Sequence, residues 1–122
     1  MRGLFLEKTI KTPRIHFDAL KGHLIIEGRS IPEDAYSFYS PIYEWLEQFQ
    51  QSGSDQAVVE FKLEYFNTSS SKCILEILKI LEKQNDKKIS VKWFYEEDDE
   101  DMLDSGEDYK QIVSLPIQFE TY

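Results

Sequence analysis

A single α/β domain, with a mixed sheet and amphipathic helices packed mainly on one side, is the fold this sequence predicts. Three observations carry that expectation. Strand-like stretches with two-residue alternation interleave with stretches whose apolar residues recur every three or four positions. The 122 residues suffice for one hydrophobic core but not two, and 41% hydrophobic with 14% aromatic content can fill it. No internal repeat or linker divides the chain, so residues 1–122 are read as one unit.

Met1 to Thr12 is expected to be a mobile or weakly paired lead-in. Arg14 to Ala19 alternates with Ile15 and Phe17 on one side, and His23 to Glu27 continues after a Lys21-Gly22 step that suggests a tight hairpin. Ser30-Ile31-Pro32-Glu33 fits a capping box, with helical character from about Pro32 to Gln51 and Ala35, Phe38, Ile42, Trp45, Leu46 and Phe49 on one face. Proline removes a ladder hydrogen bond, so Pro41 implies either a kink or a second helix capped by Ser40. Ala57 to Phe66 is the longest strand candidate, with Val59, Phe61, Leu63 and Tyr65 facing one way. A helix over Lys72 to Lys83 turns Ile74, Ile77, Leu78 and Leu81 inward. Ile89 to Tyr95 is a further strand with Val91 and Trp93 inward, Glu107 to Val113 is helical, and Leu115 to Phe119 closes as a short strand or extended tail.

Charge and cysteine content exclude several functions. Net charge is −9, and Glu96 to Asp108 alone holds nine acidic residues with no Lys or Arg, which disfavours nucleic acid and anionic membrane as partners. That segment is expected to be a solvated loop. Its spacing lacks the central glycine and terminal glutamate of a calcium loop. The lone Cys73 forbids an internal disulfide. His16 and His23 sit in predicted strands without the companions of a metal site. No phosphate-binding glycine loop or Ser-His-Asp order stands out, so no catalytic residue, metal or cofactor is assigned. With no stretch near the ~20 apolar residues of a membrane span, and an N-terminus too soon acidic for a signal peptide, a cytoplasmic protein is expected.

Asn67-Thr68-Ser69-Ser70-Ser71 joins the long strand to the following helix. Backbone N–H groups of a first helical turn have no partner within the helix, and the macrodipole adds partial positive charge, so the place suits a capping oxygen or a phosphate. Thr68 is therefore either a plain cap or a phosphorylation switch. Tyr36, Tyr39 and Tyr43 form a second stripe beside the core face of the preceding helix, which either wraps the core margin or offers a partner surface.

The blocks Leu63-Glu64-Tyr65-Phe66-Asn67-Thr68-Ser69-Ser70-Ser71-Lys72, Val91-Lys92-Trp93-Phe94-Tyr95 with its acidic run, Pro32-Glu33-Asp34 ahead of Tyr43-Glu44-Trp45-Leu46-Glu47, and Gly106-Glu107-Asp108-Tyr109 ahead of Leu115-Pro116 closely resemble the SiaC family of bacterial biofilm-regulating phosphoproteins. The resemblance spans nearly the whole chain. It implies a fold similar to the STAS domains of anti-sigma-factor antagonists, with phosphorylation falling on Thr68. It also implies a dedicated protein kinase, a PP2C-like phosphatase and a diguanylate cyclase that the unphosphorylated form binds and activates. Ser69, Ser70 and Ser71 are the rival hydroxyls; the most economical division has Thr68 modified, Asn67 and Ser69 holding the turn, and Lys72 steadying the phosphate. Two other classes stay open: a small metal-binding protein or enzyme using residues 96–108, and a scaffold without a switch.

Overall fold

The computed structural model describes all 122 residues, Met1–Tyr122. In chain order the elements are β1 (Leu4–Leu6), β2 (Arg14–Asp18), β3 (His23–Ser30), α1 (Ala35–Gln50), β4 (Gln56–Phe66), α2 (Thr68–Glu82), β5 (Lys88–Tyr95), α3 (Glu100–Ile112) and β6 (Ile117–Thr121). One six-stranded sheet runs β1-β2-β3-β4-β5-β6. The first two pairings are antiparallel and the last three parallel.

Each of α1, α2 and α3 carries the chain one strand further in the same direction, so right-handed crossovers put all three on one face. Their apolar stripes and the inward strand residues form a single cluster of 25 buried residues, which makes this one domain with one core. Trp45, Phe49, Val59, Phe61, Ile74, Ile77, Leu78, Leu81 and Val91 all lie in it. Trp45 stacks on Phe49 and tilts against Phe17, while Trp93 meets Phe61, Phe66 and Tyr109.

Several expectations need correction. The lead-in is paired: Leu4, Phe5 and Leu6 lie opposite Phe17, His16 and Ile15, and the Trp45 indole N–H donates to the Arg2 carbonyl at 2.9 Å. Ser30 is no cap. It ends β3 with its side chain buried, and Asp34 caps α1 by accepting from the Ser37 N–H at 3.1 Å. A bond from the Ser37 hydroxyl, and secondarily this backbone bond, hold the Asp34 carboxyl below its ordinary pKa. Pro41 lies inside an unbroken α1. The carbonyl its ring deprives of a partner belongs to Ser37, an exposed residue whose backbone water can reach.

Tyr65 faces outward, 52% exposed, because the register shifts between Gly28 and Arg29: Gly28 pairs with Leu63 and Arg29 with Tyr65. Glu64 is thus an extra residue that reverses the alternation and turns Phe66 inward onto Trp93. The acidic run is not mainly a loop. Asp99 caps α3 by accepting from the Met102 N–H at 3.0 Å, and Glu100 and Asp101 occupy the first turn, where the dipole favours negative charge. Of the two readings of the C-terminal segment the short strand holds, as β6 parallel to β5, two residues later than expected.

The expected hairpin is present, with Gly22 at φ 63 in the turn between β2 and β3. A β-carbon there would also press on the Gln56 carbonyl, so only glycine suits the position.

Candidate functional site

The site is the corner where β4 delivers the chain to α2. Asn67, extended at φ −86 and ψ 176, is the N-cap: its side-chain oxygen accepts from the Ser70 N–H at 2.8 Å. Its own N–H donates to the Ser30 carbonyl at 3.1 Å, tying the corner to the end of β3. Thr68 is the first helical residue rather than the cap, which corrects the simplest reading of its hydroxyl.

The next hydroxyls divide sharply. Ser70 is buried, donating to the Ser30 carbonyl at 3.0 Å and accepting from the Ser30 hydroxyl at 2.8 Å. The single Ser30 proton is thereby used, so Tyr39 donates to the Ser30 oxygen across 2.6 Å. Ser71 is engaged from the other side: Tyr109 donates to the Ser71 carbonyl at 2.9 Å, and the Ser71 hydroxyl donates to the Tyr109 oxygen at 3.0 Å. Thr68, Ser69 and Lys72 are exposed. Ser69 does not brace the turn as expected; Asn67 and Ser70 do. Lys72 lies one turn beyond Thr68 on the same face of α2.

The tyrosine stripe does not form one surface. At 100° per residue Tyr39 is rotated about 60° from Tyr36 toward the core face, with Tyr43 between them. Tyr36 is 70% exposed, Tyr39 wholly buried, and Tyr43 half-buried, donating to the Cys73 carbonyl at 3.2 Å. Only Tyr36 is left as an open contact. Burial pushes the Tyr39 phenol up to about 12, offset in part by its Ser30 bond, and raises Tyr43 and Tyr109 in the same sense. All three are neutral hydrogen-bonding groups at neutral pH.

Chemistry of other kinds finds no comparable assembly. No group of three or more His, Cys, Asp or Glu side chains is placed to hold a metal ion, because α3 spreads its carboxylates around a helix instead of converging them. No helix is long and apolar enough to cross a membrane.

Residues remote in sequence complete the corner, and three of them carried no local signal as site residues: Ser30, the buried role of Tyr39, and Tyr109. The one available clue was Gly106-Glu107-Asp108-Tyr109. Gly106 is buried against Trp93 and Phe119, which seats α3 so that Tyr109 reaches Ser71.

Fold and corner together define a small α/β domain that presents hydroxyls on a rigid helix start held by buried hydrogen bonds. The chain belongs to the SiaC family of regulatory phosphoproteins, whose sequence model matches residues 6–122. SiaC of Pseudomonas aeruginosa is 28% identical, superposes with a TM-score of 0.91, and is covered over 100% of both chains. A chain in the crystal structure of the diguanylate cyclase SiaD in complex with its activator SiaC, from the same organism, is 29% identical with a TM-score of 0.91, covering 98% of this chain and 99% of that one. An uncharacterized protein of P. aeruginosa strain UCBPP-PA14 is 30% identical over 124 residues, 100% of this chain and 98% of that one.

Proposed function

We propose that this chain is a non-enzymatic phospho-switch protein of the cytoplasm, reversibly phosphorylated on Thr68 by a dedicated kinase and restored by a PP2C-like phosphatase. Its unphosphorylated form binds and activates a diguanylate cyclase in the c-di-GMP signalling that controls biofilm formation. The observation that carries this reading is the division of labour at the corner. Asn67 supplies the cap, Ser70 and Ser71 are tied to Ser30 and Tyr109, and the exposed hydroxyls are those of Thr68, at the first position of α2, and Ser69, of which the family block favours Thr68.

A phosphate on Thr68 adds about −1.5 to −2 charges and three strong acceptors where the helix dipole is positive. Lys72, four residues on, is placed to meet it. The helix therefore keeps its shape. The penalty falls on a partner that docks over the corner, through like-charge repulsion or desolvation of the phosphate. The solved SiaD–SiaC complex supports a cyclase as that partner, through family membership and shared fold.

The test has two parts. Phosphorylation by the cognate kinase, mapped by mass spectrometry, is expected on Thr68; modification confined to serines would remove Thr68 from the scheme. Calorimetry against the cognate cyclase is expected to show Thr68→Ala binding like the parent and Thr68→Asp binding about 5- to 150-fold more weakly. Equal affinities for the two variants would leave a scaffold without a switch.

A further inference from the structure

We propose, building on the Thr68 reading above, that Tyr109 is a positioning residue of the switch: it ties α3 to the first turn of α2, and a phosphate on Thr68 loosens that tie. Tyr109 spends its one proton on the Ser71 carbonyl at 2.9 Å and receives the Ser71 hydroxyl at 3.0 Å, so two hydrogen bonds converge on a single residue of α2. Thr68 and Ser71 are three residues apart in that helix, on one face, with β-carbons about 5–6 Å apart. A phosphate on Thr68 thus sits one turn from the Tyr109–Ser71 contact.

Two effects then act against the contact. Phosphate oxygens accept charge-assisted hydrogen bonds and compete for the Ser71 and Tyr109 protons. Burial raises the Tyr109 phenol, so it remains a donor available to that competition. Repulsion adds to it: α3 carries Glu100, Asp101, Asp104, Glu107 and Asp108 against the single Lys110, and the charge of Asp108 already reaches the Tyr109 hydroxyl. α3 is also the helix with least holding it. It buries only Met102, Gly106 and Tyr109, whereas α1 and α2 bury five residues each.

The experiment uses the full chain with phosphothreonine installed at position 68 during synthesis, so that no kinase is needed. Hydrogen exchange of α3 amides, read by mass spectrometry, is expected to quicken about 5-fold on phosphorylation. Tyr109→Phe keeps the ring against Trp93 and removes only the hydroxyl. Its α3 is expected to exchange faster without phosphate and to gain nothing further from it. Ser71→Ala, which removes the other hydroxyl of the pair, provides a second variant with the same expected loss of response. A purely structural Tyr109 would leave the phosphate response of Tyr109→Phe equal to that of the parent, and that result overturns the proposal. So does an α3 indifferent to phosphate in the parent chain. If phosphorylation abolishes cyclase binding while α3 exchange stays constant, the Tyr109 coupling is refuted and the Thr68 switch stands. If α3 loosens while cyclase binding is unaffected, the coupling holds and the partner-switching reading falls.

Discussion

Replacing Gly106 by alanine sets two opposing effects against each other in α3. Alanine is the better helix former, worth about 1 kcal/mol over glycine in a helix interior. Against this, a β-carbon on Gly106 would lie 2.5 Å from Trp93 Cδ1, 2.6 Å from Trp93 Nε1 and 2.7 Å from Phe119 Cε1. Trp93 has no room to retreat. It is 1% exposed, its indole N–H donates to the Met102 carbonyl at 2.9 Å, and Phe61, Phe66 and Tyr109 surround its rings. Overpacking a filled core costs about 1–3 kcal/mol, which matches or exceeds the propensity gain, so the expected net loss is about 0–2 kcal/mol. Urea denaturation followed by tryptophan fluorescence measures it, as a lower midpoint at unchanged slope. A variant more stable than the parent by about 1 kcal/mol would show that α3 slides off the sheet without cost, and would refute the account of Gly106 as the seat of α3.

Three further outcomes follow from the same contacts. Asn67→Ala should cost about 0.5–2 kcal/mol and Thr68→Ala less than about 0.5, because the cap oxygen belongs to Asn67; thermal melts that reverse this order would reassign the cap. Stability should fall at alkaline pH. The protonated form of Tyr39 is the buried one, so its contribution is intact below the unfolded value near 10 and is lost as pH rises toward the folded value of about 12. The loss is of order 2–3 kcal/mol, Tyr43 and Tyr109 act in the same direction, and a flat profile from pH 10 to 12 in denaturant melts would contradict the buried phenol. Ile77→Ala should cost about 2–5 kcal/mol, since Ile77 is fully buried in the α2 stripe; a loss near zero would misplace that face.

Periodicity carried the interior of the fold. In β4, β5 and α2 the inward residues were legible as alternating or three-and-four-spaced apolar positions, because burying one face of a strand or helix is a local pattern with a fixed period. The absence of a helix long and apolar enough to cross a membrane was legible from composition. The Asn67 to Ser71 run marked a helix start by residue type, and only the family resemblance of the surrounding blocks pointed to Thr68.

Tertiary structure decided what each polar residue at the corner does. Ser30-Ile31-Pro32-Glu33 fits a capping box in every letter, yet Ser30 turns inward because Ser70, forty residues away, and Tyr39 offer its hydroxyl buried partners. Once Ser30 is committed to that network, the cap passes to Asp34. Tyr36, Tyr39 and Tyr43 look equivalent in sequence but differ in rotation about α1 by tens of degrees, enough to bury one and expose another. Tyr65 follows the alternation until Glu64, whose extra place in the ladder reverses it. The sequence by itself determined which segments form the core and where hydroxyls meet a helix start. That Ser70 and Ser71 are engaged while Thr68 and Ser69 stay exposed was decided only when folding brought β3, α1 and α3 around the first turn of α2, because a hydrogen-bond partner is chosen by proximity in space and not by spacing along the chain.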